Sequence, residues 1–413
     1  MRFDTKLLHS RAVRPGADGA TLPAISQVSA FQFDTAEQHE AVFAHKAMGY
    51  AYTRVGNPTV AAFEQRVNEL EGGGGAVACA SGMAAITLAL LNMLSAGDEI
   101  IADCGLYGGT IGLFEDFARW GITVRYVPEI TPETVGPLIN EHTRAIYGEV
   151  IGNPGLSVMD IRAASDLAHA HGLPLIVDST TATPYLIRPI ELGADIVVHS
   201  SSKYFNGSGN SISGVIVDST HFRWDPDRYP ALAPFWKYGP MAYLVRMRTD
   251  VGENIGGCLA PMNAYLNIVG METLGLRMER ICRNAEQLAD ALFRLQGIAD
   301  VRYPGRKERP CYPVVQKQFG GRGGGILTFR AGSKERAFRI LDALQYVTIA
   351  SNIGDVRTLA IHPSSTIFVH NTEEQKRLAG VFEDTIRVSV GIENIEDLIE
   401  DFTQAAEKAD ESR

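Results

Sequence analysis

One lysine in this chain stands where covalent chemistry is possible. It closes the run Ile196-Val-Val-His-Ser-Ser-Ser-Lys203. The apolar residues Ile196 to Val198 predict a short buried strand. Ser200, Ser201 and Ser202 follow, and then the amine of Lys203. An amine can join a carbonyl carbon as an imine, and neighbouring hydroxyls can hydrogen-bond a phosphate. The set suits a phosphorylated carbonyl cofactor, with Lys203 as its attachment point. A lone lysine after a strand is more often plain surface decoration, so the rest of the chain must decide.

Other residues of the right type recur at comparable places. Asp178 follows the apolar run Leu173-Pro-Leu-Ile-Val. As a turn residue it would be ordinary, but as a carboxylate beneath a protonated ring nitrogen it would keep a pyridinium an effective electron sink. Tyr107 sits in Asp103-Cys-Gly-Leu-Tyr-Gly-Gly-Thr110, where glycines would let its ring lie flat on a cofactor. Ser81, Gly82 and Met83 lie between a small-residue strand and a helix, a geometry that aims free backbone N–H groups at an anion. Neither a Gly-Lys-Ser/Thr nor a Gly-x-Gly-x-x-Gly pattern accompanies them, so nucleotide and dinucleotide loops are unsupported. Asn153 ends another strand. Arg387, in Thr385-Ile-Arg-Val-Ser-Val-Gly391, shares a strand face with Ser389 and could clamp a carboxylate with its two-pronged guanidinium.

The elements that must hold these residues are legible from periodicity. Helices are predicted over 59–70, from 83 to Leu94, over 131–139, over 161–171 and from Pro261 to about Leu295, the last with a buried stripe of Met262, Leu266, Val269, Leu274, Met278, Ile281 and Leu288. Short strands are predicted at 76–80, 99–102, 122–127, 145–150, 173–178 and 196–198. Residues 218–257 read as a crossing segment or long loop. Alternating strands and helices imply an α/β fold with a mostly parallel sheet and helices on both faces. Ligands in such sheets sit at the carboxyl ends of the strands. Ser81, Tyr107, Asn153, Asp178 and Ser200 to Lys203 all fall there, which random decoration would not achieve.

Composition narrows the class. The chain has 413 residues, 45% of them hydrophobic, and a net charge of -10, which argues against nucleic acid or anionic membrane as main partner. Five scattered cysteines with no Cys-x-x-Cys pair suggest neither a disulfide frame nor a zinc site. No apolar leader opens the chain and no apolar run is long enough to span a bilayer, so a reduced, cytoplasmic setting and no metal are expected.

Taken in order, Tyr52-Thr-Arg54-Val-Gly-Asn-Pro-Thr, Ala80-Ser-Gly-Met, Leu106-Tyr107-Gly-Gly-Thr, Val177-Asp178-Ser-Thr-Thr, Ala194-Asp-Ile-Val-Val-His-Ser-Ser-Ser-Lys203 and Ile386-Arg387-Val-Ser-Val-Gly resemble the Cys/Met-metabolism family of enzymes dependent on pyridoxal 5'-phosphate (PLP). The likeness covers nearly the whole chain. It implies a fold-type-I PLP-dependent transferase: a large, mostly parallel seven-stranded sheet plus a smaller C-terminal α/β domain. The implied division is an arm over 1–60 that contacts a neighbouring subunit, a cofactor domain over 61–257 and a domain over 258–413 with the substrate-carboxylate site. Lys203, Asp178 and Tyr107 would be catalytic. Ser81, Gly82, Met83, Asn153, Thr180, Ser200 and Ser202 would join them around the cofactor. Tyr52 and Arg54 would reach a neighbour's phosphate, making the site complete only in an oligomer, expected as a homotetramer. Ser351, Asn352, Thr366 and Arg387 would hold the substrate.

Within that family the substrate end is similar to the sulfhydrylase branch, in Asn352-Ile-Gly-Asp-Val-Arg and in the apolar Leu359-Ala-Ile361. The reaction implied is γ-replacement on an O-acylated homoserine, O-acetyl first, by sulfide or a thiol. A γ-lyase or a cystathionine-type enzyme is the alternative. Methionine γ-lyases typically carry cysteine where this chain has Gly109, which weighs against that branch. Ser179, Ser208 and Ile367 to His370 depart from the usual family pattern, all near the substrate side.

Overall fold

The computed structural model describes residues 1–9, 19–44 and 46–411, so part of the expected arm, residues 10–18 and 45, lies outside it. Seven strands form the large sheet: β1 (Gly75–Cys79), β2 (Glu99–Asp103), β3 (Thr123–Val127), β4 (Thr143–Glu149), β5 (Leu175–Asp178), β6 (Ile196–His199) and β7 (Gly214–Asp218). Their order is β1-β7-β6-β5-β4-β2-β3. Only β7 runs against its neighbours; the other pairs are parallel. The carboxyl ends of β1 to β6 therefore point the same way, as the alternation of strands and helices requires.

The inner strands are apolar on both faces because helices cover both, whereas the edge strand β3 keeps Thr123 and Tyr126 exposed. Val197 joins one core with Val177, Ile146 and Val217. Ile196 and Val198 turn the other way, beside Ile176, Tyr147 and Ile216. The helix Pro58–Glu71 starts where Asn57 accepts from the N–H groups of Thr59 and Val60, and Gly72 ends it in the left-handed conformation, a conformation glycine adopts at little cost. A second sheet holds β8 (Ala299–Arg302), β9 (Ile326–Arg330), β10 (Thr348–Ile349), β11 (Leu359–Ile361) and β12 (Thr385–Ser389), in the order β10-β11-β12-β9-β8. Apart from the parallel β10–β11 pair it is antiparallel, and it has its own core of Leu327, Phe329, Ile386 and Val388. Among the described residues, no helix is long and apolar enough to cross a membrane.

Two expectations fail in instructive ways. Residues 230–255 are not a loop but a run of short helical turns. Pro230, Pro234, Gly239 and Pro240 interrupt the period so often that no helical spacing survives in the sequence. The run is anchored by Trp224 stacked on Tyr243, with centroids 5.2 Å apart and planes 3° from parallel. The long helix from Pro261 is two, Pro261–Met271 and Leu274–Arg294. In the first, the buried face is Ala264, Ile268 and Met271, whereas Met262 and Val269 are 44% and 41% exposed. A helix apolar around most of its circumference has no single stripe to read.

Candidate active site

A cavity of about 230 Å³ opens where the strand ends of the large sheet meet the second sheet. Its walls include Ser81, Gly82, Met83, Tyr107, Asn153, Asp178, Thr180, Ser200, Ser202, Lys203, Ser351, Asn352 and Arg387. Residues up to 306 positions apart in sequence are thus gathered around one space.

Lys203 is held in the turns after β6. The turn is pinned from below by the buried guanidinium of Arg277, which donates to the carbonyls of Tyr204 (2.7 Å) and Phe205 (3.2 Å). Lys203 Nζ donates to Asn352 Oδ1 at 2.6 Å. Burial, aided by the nearby Arg387 charge, lowers its pKa to about 8, because a desolvated ammonium beside another cation gives up its proton more readily. A neutral amine is the form that attacks a carbonyl. Cofactor uptake by the apoprotein should therefore accelerate as pH rises through about 8 and level off above it. Stopped-flow absorbance after mixing with PLP reads this directly, and a pH-independent rate would contradict it.

The end of the cavity lined by Ser81, Gly82, Ser200 and Ser202 is built by close packing. Ser81 caps the helix Gly82–Leu91 by accepting from Ala84 N. A Cβ placed on Gly82 would lie 2.6 Å from Ser200 Cβ and 3.0 Å from its Cα, so only glycine lets this helix start approach the turn after β6. Thr180 Oγ1 accepts from Ser200 N at 2.8 Å, tying the β5 and β6 ends together. The hydroxyl of Ser202 is engaged with Ser213, donating to its carbonyl at 3.0 Å and accepting from its N–H at 2.8 Å. Gly82→Ala should weaken cofactor binding by about tenfold or more, since the cradle must open to admit the methyl. Equilibrium titration with PLP checks this, and wild-type affinity would show that the approach is not needed.

Among the described residues, two charges on the cavity wall lack opposite numbers, the half-buried Asp178 and the buried Arg387. Among the described residues, Asp178 makes no ion pair; Oδ1 accepts from Thr180 N at 2.9 Å. Burial pushes its carboxyl up, against the hydrogen bonds from Thr180 and the pull of His199. A cation set against it would relieve that cost. Arg387, 3% exposed, donates to Asn153 Oδ1 (3.2 Å) and to the carbonyl of Asn352 (3.0 Å), while its Nε finds no partner. Burial lowers its pKa to about 10. A buried guanidinium with a donor to spare fits a carboxylate. The unpaired acid, the unpaired base and the lysine form a donor set suited to PLP together with an amino-acid substrate.

Not every residue marked in the sequence lies here. Tyr52 is 43% exposed, and Arg54 lies over its ring at 5.5 Å while donating to the carbonyl of Glu253 at 2.6 Å. Arg54 borders a different hollow, with Tyr50, Arg248 and Cys258. Thr366 turns its hydroxyl onto the carbonyl of His362 at 2.8 Å, and Ile367 takes the place on the wall. Sequence reading missed Ile86, Thr110, Glu149, Thr181, Ile212, Ile353 and Ile367, all of which line the cavity. Glu149 carried a usable signal: like Asp178, it is an acid ending an apolar strand. Gly109 leaves room for Tyr107, since a Cβ there would lie 2.5 Å from Tyr107 Cε1.

Residues 4–407 match the model of the Cys/Met metabolism PLP-dependent enzyme family. An O-acetyl-L-homoserine sulfhydrylase of Corynebacterium glutamicum is 39% identical over 417 residues, covering 97% of this chain and 95% of that one. An L-methionine gamma-lyase of Treponema denticola is 36% identical, covering 98% and 97%. A Campylobacter jejuni structure assigned as an O-acetylhomoserine (thiol)-lyase, which carries N'-pyridoxyl-lysine-5'-monophosphate, superposes with a TM-score of 0.94 at 34% identity, over 98% of this chain and all of that one.

Proposed function

The chain belongs to the Cys/Met metabolism PLP-dependent enzymes, and from that membership we propose that it catalyses γ-replacement on an O-acylated homoserine. The acyl group is acetyl, the incoming group is sulfide or a small thiol, and the product is homocysteine or methionine. The observation that carries the choice of substrate is the charge on the cavity wall. Its charged residues are Glu149, Asp178, Lys203 and Arg387. Once Arg387 serves the α-carboxylate and Lys203 the cofactor, no cation of this wall among the described residues is left for a second carboxylate. Succinyl esters and cystathionine each bring one, whereas acetyl does not. Ile86, Ile212 and Ile367 on the same wall suit a neutral leaving group and a neutral thiol.

PLP, when bound, supplies the electron sink that makes the substrate's Cα proton acidic. Lys203 would hold the cofactor and move protons at the substrate's Cα and Cβ, for which a pKa of about 8 is well matched near neutrality. Asp178 keeps the ring nitrogen protonated. Ser81, Gly82, Met83, Thr180, Ser200 and Ser202 would hold the phosphate, and Tyr107 would cover the ring and assist departure of the γ-group. Asn153 would approach the cofactor's 3'-oxygen. Arg387, with the backbone of Ser351 and Asn352, orients the α-carboxylate. Thr366 acts through the turn it closes on His362. In this reading 61–257 carries the cofactor and 258–413 presents the carboxylate clamp. Tyr52 and Arg54 on the arm serve a neighbouring copy's phosphate within a homotetramer, which accounts for their distance from their own chain's cavity.

The γ-lyase relative supports a second reading, in which water ends the cycle and 2-oxobutyrate forms. Incubation with O-acetylhomoserine, O-succinylhomoserine, cystathionine and methionine, each with and without sulfide, separates the two. Homocysteine from the acetyl ester and sulfide is the expected product. Release of 2-oxobutyrate from methionine without added thiol would overturn the first reading in favour of the second.

A further inference from the structure

Glu149 ends β4, is 7% exposed and has no role in the scheme above. Its two carboxylate oxygens take different partners: Oε1 accepts from the backbone N–H of Tyr107 at 2.7 Å, and Oε2 from that of Asn153 at 3.2 Å. The two N–H groups belong to loops after different strands, β2 and β4. Asn153 in turn accepts from Arg387 through Oδ1, Arg387 donates to the carbonyl of Asn352, and Asn352 accepts from Lys203. The carboxylate thus stands at the head of one continuous series running from the Tyr107 loop to the lysine. It also sits beside a second acid, since Glu149 and Asp178 are register partners on adjacent parallel strands. Two carboxylates side by side are unfavourable, and a neutral acceptor would close either loop without that cost. Two acceptor oxygens let this one side chain take both N–H groups, one on each oxygen.

We propose that Glu149 is a positioning residue that fixes the Tyr107 ring and the Asn153 side chain relative to each other, and so sets the geometry of ring face and carboxylate clamp together. This rests on the reading of Tyr107 and Arg387 given above. In Glu149→Gln one oxygen becomes an NH₂ that faces a backbone donor, so one of the two tethers is lost at constant size. Small displacements of such groups lower rates by up to about 100-fold.

The test compares holoenzyme of wild type, Glu149→Gln, Tyr107→Ala and the double variant, with O-acetylhomoserine and sulfide as substrates. Steady-state kinetics, visible circular dichroism of the bound cofactor and thermal melting are read on each. Glu149→Gln is expected to bind cofactor at full stoichiometry, lose about 10- to 100-fold in kcat and change the visible dichroism. On the Tyr107→Ala background the same substitution should cost less than in wild type, because its effect through the Tyr107 ring is already lost while that through Asn153 remains. Should Glu149→Gln not fold, Glu149→Asp takes its place; it keeps the charge but is too short to reach both loops, and the same pattern is expected. Losses that multiply in the double variant, or a lower melting temperature with unchanged dichroism and kcat, would reduce Glu149 to a structural acceptor and overturn the inference. That outcome leaves wild-type cofactor binding and product formation intact, whereas failure of the functional reading would abolish those in the wild type itself.

Discussion

Lys203→Ala is expected to lower turnover by on the order of 10³-fold or more and to remove the covalent link to the cofactor. Both effects come from one atom. Nζ is the amine facing this cavity, its proton affinity is reduced by burial and by Arg387, and Asn352 holds it at 2.6 Å. Among the described residues no other lysine lines the cavity, so none stands in its place. The fold should survive, because the turn around it is held by Arg277 and by the Ser202–Ser213 pair rather than by the lysine side chain. Absorbance of the reconstituted variant and a steady-state assay check the two halves separately. Activity within tenfold of wild type would require another base and attachment point, and would refute the assignment.

Arg387→Ala is expected to raise KM for the amino-acid substrate by about 30- to 1,000-fold, the equivalent of about 2–4 kcal/mol for a lost charge-assisted contact in a buried setting. Cofactor stoichiometry should stay at the wild-type value, since the side chain lies on β12 of the second sheet, away from the residues that would hold the phosphate. Arg387→Lys should recover little, because an ammonium lacks the fork that matches a carboxylate. There is a second consequence. Arg387 is one of the two causes that lower the Lys203 pKa, after burial, so its loss should move the pH midpoint of cofactor uptake upward. An unchanged KM would take Arg387 out of the substrate site. An unmoved midpoint would show that burial alone sets the lysine.

Much of this site can be read from sequence because a parallel sheet imposes one rule on many residues. Once strands and helices alternate, polar residues at the strand ends must converge, and Lys203, Asp178, Tyr107 and Asn153 do line one cavity. Arg387 was legible through the two-residue period of β12, which pairs it with Ser389 on one face; that face is buried, and Ser389 Oγ accepts from Gly354 N at 3.0 Å. What escaped depended on distant chain segments meeting. Glu149 shows in the sequence as an acid ending an apolar strand, but its partners are two backbone N–H groups in separate loops, which no side-chain pattern encodes. The helical turns over 230–255 are hidden by their own prolines and glycines, and the face of Pro261–Met271 by its apolar surround. Tyr52 and Arg54 stand apart from the cavity of their own chain, so their expected role can be tested only on the assembled oligomer.

The most direct test of the account is where the cofactor attaches. The purified chain, reconstituted with PLP and reduced with borohydride, should yield on peptide mapping a single phosphopyridoxyl-modified residue, Lys203. A protein that stays colourless, or a label fixed at any other lysine, would contradict it.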